Sequence, residues 1–170
     1  MNKTLFLICF CAATSGLAGC ASTPRSPAAA DRATPKPTAG TPIPADAGRE
    51  VVMQAMSVLG VRYAAGGSSP ESGFDCSGLV AYAFARVTPG LLPRTTGGLS
   101  RTGIYVDARQ LRPGDLVFYN TQQRPYSHVG IYLGDSRFIH APSTGGVVRI
   151  EDMHMRYWVR RFNGARRLTL

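Results

Sequence analysis

The spacing of apolar residues changes once along this chain, and that change restricts the fold more than any other feature. Between Arg49 and Leu59, the residues Val52, Ala55, Met56 and Leu59 recur at helical intervals, and Gly60 is a stop. After Cys76, the residues Leu79, Val80, Ala83, Phe84 and Val87 repeat the pattern until Thr88-Pro89-Gly90 ends it, with Asp75 placed as an N-cap. From Leu116 the period becomes two. Leu116 to Tyr119 follows the turn Arg112-Pro113-Gly114-Asp115; His128 to Leu133, a break at Gly134-Asp135-Ser136, and Arg137 to Ala141 come next. Further strands are expected at Gly146 to Ile150 and Tyr157 to Phe162. Helix, loop, helix and then a run of strands predicts an α+β domain, with helices packed on one side of an antiparallel sheet.

The N-terminal third reads differently. Met1 to Lys3 is positive, Leu5 to Ala13 apolar, and Leu17-Ala18-Gly19 a small-residue cleavage site, so residues 1–19 form a secretory signal. The apolar stretch is too short for a stable membrane span. Cys20 directly after Leu17-Ala18-Gly19 resembles the lipobox of bacterial lipoproteins, which implies an acyl anchor on Cys20. With Ala21 next and not aspartate, the resemblance implies an outer-membrane lipoprotein facing the periplasm of a Gram-negative cell. Residues 20–48 are dominated by Ala, Pro and Thr without apolar periodicity and are expected to be a disordered tether. At ~3 Å per residue such a tether reaches several tens of ångströms. Residues 49–170 are left as one folded domain.

Of the 4 cysteines, Cys9 and Cys11 lie in the apolar run, Cys20 ends the signal, and Cys76 alone lies in the domain. A disulfide framework is thereby excluded there. A lone thiol in an exported protein points to reactivity, against the competing reading of a small buried hydrophobe. In the first turn of a helix, free N–H groups and the positive dipole end favour a thiolate, so a lowered pKa is expected for Cys76; the same N–H groups are candidate oxyanion donors. A nucleophilic thiol needs a base and a polar group to orient that base, and His128 and His140 are available. Loop length decides whether they meet. A three-residue loop at 134–136 sets Gly130 opposite His140 and makes His128 its same-face diagonal neighbour, whereas a two-residue loop puts the histidines on opposite faces. The same three side chains could ligate zinc, although no fourth ligand or short-spaced pair accompanies them.

Net charge is +9, from 19 Lys plus Arg against 10 Asp plus Glu. That favours an anionic partner, and the secretion signal argues against nucleic acid, leaving an acidic membrane surface or a wall polymer. Arg156, Arg160, Arg161, Arg166 and Arg167, interleaved with Tyr157, Trp158 and Phe162, read as a solvated basic strand edge. His154 and Trp158 carry no motif and read as structural.

Three segments together resemble the NlpC-type cysteine peptidases of bacterial cell walls: Phe74-Asp75-Cys76-Ser77-Gly78-Leu79-Val80; Leu111-Arg112-Pro113-Gly114-Asp115-Leu116-Val117-Phe118; and Ser127-His128-Val129-Gly130-Ile131-Tyr132-Leu133-Gly134 with Phe138-Ile139-His140-Ala141. The resemblance implies a papain-like α+β core with Cys76 as nucleophile, His128 as base and His140 as its orienting partner. It further implies that Tyr63 lines the site near the oxyanion, and that Asp75 and Ser77 touch substrate; helix capping explains Asp75 equally well. The substrate class implied is peptidoglycan stem peptides, cut at D,L- or D,D-amide bonds through a thioacyl-enzyme without metal or organic cofactor. An inactive wall-binding module, and an acyltransferase or amidase on the same fold, are the alternatives. Ser136 departs from the glycine common at its position in that family, a change that bears on the hairpin turn and the placement of His140.

Overall fold

The computed structural model of the chain describes residues 40–87, 90–143 and 145–169. The expected signal, Cys20 and most of the expected tether lie outside the described residues. Order begins earlier than residue 49. Ile43 donates its N–H to the Leu168 carbonyl at 3.0 Å and is buried, and the first helix, α1, spans Ala45–Met56. Residues 42–48 are therefore part of the packed unit. The reason is contact, not local pattern: Gly48 presses on the Pro113 carbonyl and Gly114, an approach that only a residue without Cβ permits.

A two-stranded ribbon, β1 (Ser68–Ser69) and β2 (Gly73–Phe74), leads into α2 (Cys76–Phe84) and a short helix α3 (Thr96–Leu99). Six strands follow: β3 (Ile104–Val106), β4 (Leu116–Tyr119), β5 (His128–Gly134), β6 (Arg137–His140), β7 (Arg149–Asp152) and β8 (Phe162–Arg167), with α4 (Arg156–Val159) before the last. They form one antiparallel sheet in the order β3-β8-β4-β5-β6-β7, so the C-terminal strand inserts between β3 and β4.

The alternating pattern of β4 is apolar on both sides because both sides are covered. Leu116 and Phe118 join Val51, Ala55, Leu79 and Phe84 in the core beneath α1 and α2, while Val117 and Tyr119 join Phe138, Trp158 and Ala165 in a second cluster. Each such large side chain, fully buried, contributes ~2–3 kcal/mol.

Two expected strands are corrected. The segment at Gly146–Ile150 pairs as a strand only over Arg149–Asp152, and Tyr157–Phe162 is largely α4 plus the first residue of β8. Trp158 lies in α4 and Phe162 opens β8, and both pack in the second cluster. Nor do the late arginines form a uniformly solvated edge. Arg167 makes a bidentate pair with Asp115, 2.8 Å at each contact, with the carboxylate 1% exposed. Arg161 lies over the Tyr157 ring, 3.9 Å from its centroid.

The β5–β6 hairpin combines both loop readings. Gly134 pairs with Arg137 across a two-residue turn in which Asp135 and Ser136 have φ of 49° and 57°, and a bulge at Leu133 then shifts the register. Ile131 pairs with Ile139, and Tyr132 with Phe138. The extra residue undoes the face reversal that a two-residue turn alone would impose, so the register extends to Gly130 opposite His140.

Candidate active site

Cys76 opens α2 as predicted. Asp75 is its N-cap, and the carboxylate Oδ1 accepts the Gly78 N–H at 2.6 Å while Oδ2 accepts the Gly66 N–H at 2.9 Å. The first turn is clamped from outside by the glycine-rich loop. The Gly67 carbonyl lies where a Cβ on residue 78 would be, and Arg94 donates to the Gly66 and Gly67 carbonyls at 3.2 and 3.4 Å. This explains why Gly78 follows Ser77 two residues after the cysteine. The Ser77 hydroxyl donates to Asp75 Oδ1 at 3.0 Å and to the Arg94 carbonyl at 2.8 Å. Ser77 and Asp75 thus hold the helix start with their side chains, and neither lines the cavity.

That cavity, about 370 Å³, is lined by Tyr63, Cys76, His128, His140, Glu151 and Trp158 among others. Cys76 reaches it beside the start of β5, where the backbones of Val129, Ser77 and Cys76 itself favour the charged form of its sulfur. His128 and His140 are both buried, and His128 Nε2 lies 2.7 Å from His140 Nδ1. The bulged hairpin thus brings together the two rings that sequence could join only conditionally. With Nε2 engaged, Nδ1 is the nitrogen of His128 left for the thiol.

The charge state departs from expectation. Burial pushes the Cys76 thiol up to about 11, with the neighbouring Asp75 carboxylate adding to the rise and the backbone hydrogen bonds only partly opposing it. The lowered pKa expected from the helix start is corrected: Cys76 is part-buried, and desolvation is the largest influence on its thiol. Burial likewise holds His128 down to about 4, and burial, then the nearby charges of His128 and Arg149, hold His140 down to about 2. At neutral pH Cys76 rests as a thiol and His128 and His140 as neutral imidazoles. Tyr63 is raised by burial first, then by Cys76 and Asp75, which puts its hydroxyl within their electrostatic reach.

Three site residues escaped the sequence reading. Trp158, read as structural, packs its ring 6.0 Å from that of His128 and 5.2 Å from that of His140, closing one wall of the site. Arg149 and Glu151 arrive on β7, where Arg149 pairs with His140 across the ladder. Nothing local in the sequence marked any of the three. Among the described residues no group of three or more His, Cys, Asp or Glu is placed to hold a metal ion.

Helices packed on an antiparallel sheet, with a cysteine at a helix start and a histidine pair on adjacent strands lining one cavity, define a papain-like α+β fold. The sequence profile of the NlpC/P60 family matches residues 60–167, and the chain belongs to that family. It is 42% identical to the murein DD-endopeptidase MepH of Escherichia coli (strain K12) over 116 residues, which are 66% of this chain and 43% of that protein. It is also 42% identical over 125 residues to the gamma-DL-glutamyl hydrolase of Bacillus subtilis (strain 168), covering 73% of this chain and 30% of that one. The chain therefore spans less than half the length of these two relatives. The solved NlpC/P60 domain of the peptidoglycan hydrolase SagA superposes with a TM-score of 0.61 at 32% identity, covering 71% of this chain and 98% of that domain.

Proposed function

We propose that the protein is a peptidoglycan hydrolase, a cysteine endopeptidase that cuts amide bonds in cell-wall stem peptides. The observation that carries this reading is the shared cavity in which Cys76, His128 and His140 meet, with the two imidazoles 2.7 Å apart. Relatives named murein DD-endopeptidase and gamma-DL-glutamyl hydrolase support the substrate class. In the proposed reaction the Cys76 thiol passes its proton to Nδ1 of His128 as sulfur attacks the carbonyl carbon, because the resting pair is neutral. The carbonyl electrons move to oxygen, where backbone N–H groups at the helix start, with the Tyr63 hydroxyl nearby, stabilise the charge. Collapse breaks the C–N bond, and the imidazolium protonates the leaving amine. Water, deprotonated by His128, then releases the acyl group as a carboxylic acid and restores the thiol. Asp75 and Ser77 hold the nucleophile's helix in place.

The remaining organisation is part of the same proposal. Residues 1–19 are a lipoprotein signal, Cys20 carries the acyl chains that tie the protein to the outer membrane on its periplasmic side, and the segment after it is a tether. The domain that follows works on the adjacent wall. The test is to incubate the full chain and its Cys76→Ala variant with purified sacculi and identify released fragments by mass. Products from the parent alone, each explained by one hydrolysed amide, are expected. Equal output from both proteins would overturn the reading; binding without products from either would favour a wall-binding module, and transferred rather than hydrolysed acyl groups an acyltransferase.

A further inference from the structure

Nε2 of His140 is buried, its side chain 1% exposed, and has no hydrogen-bond partner. A buried ring nitrogen without a partner is uncommon and calls for a cause. The carboxylate of Glu151 on β7 lies beside it, with Oε1 4.0 Å away. That carboxylate is 15% exposed and is held in place by Arg149, whose Nε donates to the same oxygen at 2.7 Å.

The pair of imidazoles has two neutral arrangements. In one, His128 Nε2–H donates to His140 Nδ1, His140 carries its proton on Nε2, and His128 Nδ1 presents a lone pair. In the other, His140 Nδ1–H donates to His128 Nε2, and both outer nitrogens exchange roles, so His128 Nδ1 carries a proton. Only the first can accept the proton of a thiol. The 2.7 Å contact is compatible with both and selects neither. Glu151 breaks the tie. At 4.0 Å, and with its charge partly offset by Arg149, it attracts an N–H on His140 Nε2 and repels a lone pair there.

We propose that Glu151 is a positioning residue, whose carboxylate keeps the proton on Nε2 of His140 and so leaves the lone pair of His128 Nδ1 directed to Cys76. The proposal rests on reading His128 as the base of Cys76, and deepens that reading by one residue. The chain contains 3 histidines, and the third, His154, is exposed, so ring-nitrogen spectra of the full chain labelled with 15N-histidine are simple to assign. Long-range 1H–15N correlation at neutral pH is expected to show His128 and His140 both protonated on Nε2. Glu151→Leu is expected to move both protons to Nδ1 and to lower kcat on sacculi by about tenfold or more, with KM within about twofold. Glu151→Gln, which keeps the shape and removes the charge, is expected to lose the parental tautomers as Leu does. A parental spectrum with His140 protonated on Nδ1 overturns the proposal without any variant. So does a Leu or a Gln variant with parental tautomers. If the parent shows the expected tautomers but releases nothing from sacculi, the tautomer assignment stands and the hydrolase reading fails alone.

Discussion

Under the proposed function, Cys76 and His128 share the cavity without charge, and the acid limit of activity follows from that. His128 accepts a proton only while neutral, and its folded value lies near 4, below the ordinary 6.5. Activity on sacculi is therefore expected to hold as pH falls through 6 and 5 and to decline only as it approaches about 4. Thiol chemistry gives an independent check, because a value of about 11 leaves little thiolate at neutral pH. The rate of Cys76 alkylation by iodoacetamide is expected to rise by about tenfold per pH unit from 7 upward and level off only near the thiol's own value. A plateau already reached at pH 7 would contradict burial as the dominant influence. The motif around Cys76 was legible because capping and helical spacing are local properties. Its ionisation was not, because the partial burial of Cys76 against the core is supplied by residues distant in sequence.

Two elements place the histidines and the sheet that carries them. In the β5–β6 hairpin, Ser136 occupies the left-handed region at φ 57°, where a side chain costs ~1–2 kcal/mol that glycine avoids. Ser136→Gly is expected to raise stability by up to ~1 kcal/mol, after the greater chain entropy of glycine is subtracted, and to leave activity unchanged, since the bulge at Leu133 and not residue 136 sets the register. Thermal unfolding and sacculus digestion measure both. The second element is the junction of β4 and β8. Asp115 precedes β4, is 1% exposed and takes both contacts from Arg167; Arg167 also donates to the Gln110 carbonyl at 3.1 Å. Arg167→Ala leaves a buried carboxylate uncompensated and is expected to cost ~3–5 kcal/mol, read by urea unfolding. The Arg112 N–H that Asp115 accepts at 2.8 Å does not replace a guanidinium. From sequence alone, Arg167 was one of five similar late arginines; only insertion of β8 beside β4 distinguishes it.

At the scale of the whole molecule, a net charge of +9 meets a wall polymer rich in carboxylates under the proposed function. Sacculus binding by the full-length Cys76→Ala variant is expected to weaken as salt rises from about 0.1 M to about 1 M, where the screening length falls from ~10 to ~3 Å. Pelleting assays measure it, and binding indifferent to salt would remove the role assigned to charge. The two apolar periods sufficed for an α+β domain with Cys76 at a helix start, because periodicity and capping act over a few residues. They also left the histidines with two possible relations, since register depends on a turn and a bulge whose conformations are held by pairing across the sheet. Tertiary structure chose between them, extended the packed unit back to Ile43, turned the segment around Trp158 into a wall of the site, and brought Glu151 behind His140. Each of these is decided by contacts between residues far apart in the chain, and a one-dimensional pattern of residue types carries no record of such contacts until the strands are paired.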